Sequence, residues 1–91
     1  MTVQISTQTF RTPVEAYNAM VDAGGPSAIG VPNLVTGIDA VLYQTTFYAP
    51  DKDQDWACSF ATKLIMVTVK TDQRSPSLNA RRVCQEIAPK F

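Results

Sequence analysis

The chain of 91 residues contains no histidine. That absence removes the side chain whose unperturbed pKa lies nearest neutrality, and with it the commonest general base and the commonest zinc ligand. No Ser–His–Asp triad, Cys–His pair or histidine metal site can be assembled within the chain. Cysteine is nearly as scarce. Cys58 and Cys84 are too few for a disulfide-stapled mini-domain, and their spacing matches no zinc knuckle. They are expected as two small buried apolar side chains, where burial makes a thiol inert. Acid–base chemistry would fall to carboxylates such as Asp39 or Glu86, neither set beside a second carboxylate in an apolar run. A noncatalytic protein without cofactor or metal is the expectation.

Long hydrophobic runs are also missing. The longest aliphatic stretch is residues 64–67, against the ~20 apolar residues that a membrane span requires. Residues 1–10 are polar and alternating, with no basic start leading into an apolar run, so no signal peptide is expected. These features predict a soluble, cytoplasmic protein. An excess of either charge is lacking too, with eight basic and eight acidic side chains. The balance conceals an asymmetry. Residues 1–62 carry two basic and six acidic side chains, a net of −4, and residues 63–91 carry six basic and two acidic, a net of +4.

What is present suffices to fold. A hydrophobic share of 45% is ordinary for a globular protein and disfavours disorder. At this length one domain over residues 1–91 is expected, burying only about 60–65% of the surface of its unfolded chain. Residues 3–10 alternate with the period of a strand. Thr12, Pro13 and Glu15 then form a capping box with proline at the first helical position, and Val14, Tyr17, Met20 and Val21 recur at helical spacing. The first helix is predicted over residues 13–23, ended by Gly24-Gly25-Pro26.

Residues 24–37 hold four glycines and two prolines and read as a long connection with a short extended piece at 31–35. The opening Gly24-Gly25 pair follows a helix and lacks a Gly-Lys-Ser/Thr, so it reads as a helix stop and not as a phosphate cradle. Residues 38–48 and 57–70 read as strands, the second unusually long and apolar on both faces over residues 64–69. Between them Asp51, Asp53 and Asp55 imitate the first half of a calcium loop. Trp56 stands where glycine is needed and Thr62 where a bidentate glutamate is needed, so a solvated hairpin tip is expected. Ser75-Pro76 opens a second helix over residues 76–88, with Ala80, Val83, Cys84, Ile87 and Ala88 as its apolar stripe. The resulting order is β-α-β-β-α. It predicts an α+β protein in which a small antiparallel sheet carries both helices on one face.

Two functional surfaces follow. The strand apolar on both faces, in a chain too small to cover both, points to a homodimer built through the sheet and to protein binding, with Trp56, Leu64 and Met66 as contact residues. Compact, threonine-rich, motif-poor chains of this size are common among accessory proteins of phages and mobile elements. The competing reading is an anion or nucleic-acid contact made by Lys70, Arg74, Arg81 and Arg82 in the basic third of the chain. Against it stand the absent basic excess and the lack of interleaved aromatic residues.

Overall fold

A computed structural model describes residues 3–44, 56–71 and 77–91. The elements are β1 (Val3–Thr9), α1 (Pro13–Asp22), β2 (Ile29–Val35), β3 (Ile38–Gln44), β4 (Trp56–Thr62), β5 (Ile65–Thr71) and α2 (Ser77–Ile87). Short 3₁₀ turns follow α1 at Gly25–Ser27 and α2 at Ala88–Lys90. Among the described residues five strands form one antiparallel sheet in the order β1-β5-β4-β3-β2. The architecture is α+β, as expected. The order is β-α-β-β-β-β-α, with two more strands than the sequence suggested.

Both extra strands have a local reason. The predicted connection at residues 24–37 contains β2, which pairs with β3 through Ile29–Leu42, Gly30–Val41 and Val31–Ala40 and is then interrupted by a register shift before Val35–Ile38. Pro32 and a left-handed Asn33 (φ 51°) occupy the interruption, which erases the alternation on which a strand is recognised. The predicted long strand at residues 57–70 is a hairpin, β4 and β5, closed by Lys63 and Leu64 between the paired Thr62 and Ile65. Lys63 takes the positive φ (54°) that glycine, asparagine or aspartate would usually supply.

α1 begins as expected. Thr12 is extended at the cap and its Oγ1 accepts from the Glu15 backbone N–H at 3.1 Å, with Pro13 opening the first turn. Its rotation differs from the predicted stripe. Ala16 and Met20 are buried, whereas Val14, Tyr17 and Val21 are exposed. Gly24 then passes so close to the sheet that a Cβ there would lie 2.7 Å from the Tyr43 side chain. The absence of a side chain is what lets the chain leave the helix over β3.

The helices lie on opposite faces of the sheet, which corrects the expectation of a shared face. Ala80, Cys84 and Ala88 of α2 join Val31, Ala40, Leu42, Cys58, Phe60, Val67 and Val69 in one buried cluster, and register places these strand residues on one side. Burying a side chain the size of Phe60 completely contributes about 1.5–3 kcal/mol. Phe91, beyond the second 3₁₀ turn, packs edge-on against Phe60 with ring centroids 5.9 Å apart. α1 instead meets residues of the other parity. Tyr17 Oη donates to Asp39 Oδ2 at 3.4 Å, Val14 and Tyr17 lie beside Ala61, and Gly24 abuts Tyr43. Alternation in a strand sends neighbouring side chains to opposite faces, so a sheet apolar on both can take a helix on each. The stretch read as apolar on both faces falls in β5, where Val67 and Val69 lie in the α2 cluster while Met66 and Thr68 line the opposite face.

Candidate functional site

The sheet ends in two unlike edges. β2 carries Pro32, the left-handed Asn33 and the register shift, and Asp39 Oδ1 accepts the Asn33 backbone N–H at 2.9 Å to hold that irregularity. Proline and bulges are the devices by which natural edges resist further pairing. β1 has none of them. Its seven residues are uncharged, contain no proline, pair in unbroken register with β5 from Val3–Thr71 to Thr9–Ile65, and are all exposed. Ile5 is 50% exposed, a large apolar side chain on an open edge.

A second surface comes from α1. Val14, Tyr17 and Val21 stand at i, i+3 and i+7, and so share one outward face of the helix. Beside the first turn, Pro13, Val14 and Tyr17 together with Ala61 and Lys63 line an open, mainly apolar depression of about 310 Å³. Leu64, at the adjacent β4–β5 turn, is also exposed.

The third feature lies on the α1 face, over the part of the sheet where no α1 residue forms the wall. Ser6 and Gln8 of β1, Tyr43 of β3, and Met66, Thr68 and Lys70 of β5 line a depression of about 250 Å³. Register explains the meeting. Ser59 stands opposite Thr68 across β4 and β5, and Thr68 opposite Ser6 across β5 and β1. The Ser59 hydroxyl is fully buried and hydrogen-bonded to Tyr43 Oη and Thr68 Oγ1, each at 2.9 Å. Among the described residues no carboxylate lines the depression, and Lys70 supplies its one charge.

The predicted contact residues are dispersed. Trp56 begins β4, half-buried against the α2 cluster, with Thr71 Oγ1 donating to its carbonyl at 3.3 Å. Leu64 lies at the opposite end of that hairpin, a seven-residue strand away, or roughly 20 Å. Met66 is half-buried in the polar depression, together with Lys70 from the other predicted set. Lys70 is on the α1 face, whereas Arg81 and Arg82 are exposed on α2 across the sheet, so these cations form no common patch. Arg74 and the Asp51, Asp53 and Asp55 group lie outside the described residues. The Tyr43–Ser59–Thr68 chain has no sequence signature, because only register brings the three hydroxyls together.

Cys58 and Cys84 are free and fully buried. The Cys58 side chain and burial push the Cys84 thiol far above the usual thiol range. A thiol so held is no nucleophile. Among the described residues no helix is long and apolar enough to cross a membrane, and no group of three or more metal-ligating side chains converges.

Fold and surfaces together define a small three-layer protein, helix on sheet on helix, with one blunted and one open sheet edge. No family model, curated protein or solved structure matches the chain.

Proposed function

We propose that the protein is a noncatalytic, cytoplasmic binding protein that works as a homodimer joined through β1, acting as an accessory to a protein partner. The observation that supports this is the contrast between the edges. One is blocked by proline and an irregular register, while the other is flat, uncharged and open over seven residues. Antiparallel pairing of two β1 strands about a two-fold axis satisfies both open edges with one self-complementary contact. It brings no like charges together and covers the half-exposed Ile5. The dimer so formed is a ten-stranded sheet. The outward Val14, Tyr17 and Val21 of each α1 remain as apolar contact residues for the accessory role.

Sedimentation equilibrium over a concentration series tests the dimer. Twice the chain mass is expected for the natural sequence, and the single-chain mass for Ile5→Lys or Thr7→Lys, which place a charge on the edge. Both variants should keep the far-ultraviolet circular dichroism of the parent. A single-chain mass at every concentration for the natural sequence overturns the proposal, as does a dimer indifferent to both substitutions.

A further inference from the structure

We infer that the depression between β1, β5 and Tyr43 is a binding site for a small aliphatic monocarboxylate. The inference does not depend on the dimer. Its basis is a count of hydrogen-bond donors. Tyr43, Ser59 and Thr68 bring three hydroxyl protons to a chain with two links, Tyr43–Ser59 and Ser59–Thr68. Among the described residues one proton is therefore left over. If the chain runs from Tyr43 toward Thr68, the spare donor is on Thr68; in the reverse direction it is on Tyr43. Both of these side chains line the depression, so either direction delivers the donor there. The third arrangement, in which both ends donate to Ser59, puts the spare proton on a hydroxyl with no solvent exposure, and an unpaired buried donor costs about 1–3 kcal/mol.

The rest of the lining also offers donors. The Lys70 ammonium carries donors only, Ser6 and Gln8 add a hydroxyl and an amide that can donate as well as accept, and among the described residues no carboxylate is present to compete. A surface with spare donors and one cation selects a ligand rich in acceptors with one negative charge. A phosphate dianion is a poorer match. Backbone N–H groups, which cradle phosphate at helix starts and nests, are committed here to the strand ladders on both sides of β5. Met66, half-buried on the same wall, offers an adaptable apolar surface to an aliphatic body. At about 250 Å³ the space falls below the roughly 300–1,000 Å³ of pockets for drug-sized ligands, which limits the occupant to a few carbons.

Titration of the ¹⁵N-labelled protein with lactate and with butyrate, at constant ionic strength, tests the site by backbone amide shifts. Saturable shifts are expected at Ser6, Gln8, Thr68 and Lys70, with a shared dissociation constant on the order of 1 mM. Lys70→Met should weaken binding at least about tenfold, and Tyr43→Phe should weaken it while leaving the spectrum dispersed. Inorganic phosphate at the same ionic strength should give no saturable shift at these residues. Shifts that rise linearly without saturation, shifts unchanged by Lys70→Met, or equal saturation by phosphate would each overturn the assignment.

Discussion

The Cys84 thiol donates to the carbonyl oxygen of Cys58 across 3.2 Å and thereby joins α2 to β4 at the centre of the core. The neighbouring Cys58 side chain and the lack of solvent hold this thiol in its protonated form. Folded protein therefore keeps a proton that unfolded chain, with an ordinary thiol pKa of about 8.5, gives up. Because the folded state binds more protons in that range, stability is fully present below about pH 8.5 and falls as pH rises beyond it. The expected slope from this one group is about 1.4 kcal/mol per pH unit. Urea unfolding of the natural sequence and of Cys84→Ala through the alkaline range should show the difference between the two shrinking with pH. A constant difference would mean that the thiol is not held protonated.

The rotation of α1 makes neighbouring residues unequal. Met20 is 1% exposed and Val21 45% exposed, although both belong to the apolar stripe that the sequence suggests. Met20→Ala should cost about 2–5 kcal/mol in chemical denaturation, the usual loss when a buried long side chain is truncated. Val21→Ala should stay within about 0.5 kcal/mol. Equal costs at the two positions would place α1 in a different rotation on the sheet.

Lys63 is strained where it turns β4 into β5. A φ of 54° brings the Cβ of an L-residue against the backbone, at a cost of about 1–2 kcal/mol that glycine does not incur. Lys63→Gly is expected to raise the urea midpoint, by an amount corresponding to about 1 kcal/mol after its added unfolded-state entropy is subtracted. Lys63→Val, whose branched side chain tolerates this region least, should lower it. The opposite ranking would show that the turn has another geometry.

The helices were legible because their signals are local. Thr12, Pro13 and Glu15 mark the start of α1 by chemistry confined to four residues, and Ala80, Cys84 and Ala88 recur at the spacing that α2 buries. β1 was legible from its alternation alone. The β4–β5 hairpin was not, because its turn is made by Lys63 and Leu64, and a strained turn is held by the strands on either side of it. β2 was hidden by Pro32 and Asn33, the same irregularity that blunts it as an edge.

By itself the sequence determined what chemistry is within reach. It holds no histidine, its two thiols sit in apolar surroundings, and its balanced charge is split between the two ends of the chain. It also determined the α+β class, since helix starts and strand alternation are written in near neighbours. Only the tertiary structure decided which face each helix covers, which edge stays open, and which residues share a depression. Those are matters of register, and register is set by pairing between residues far apart in the chain: Tyr43, Ser59 and Thr68 meet only because β3, β4 and β5 align as they do.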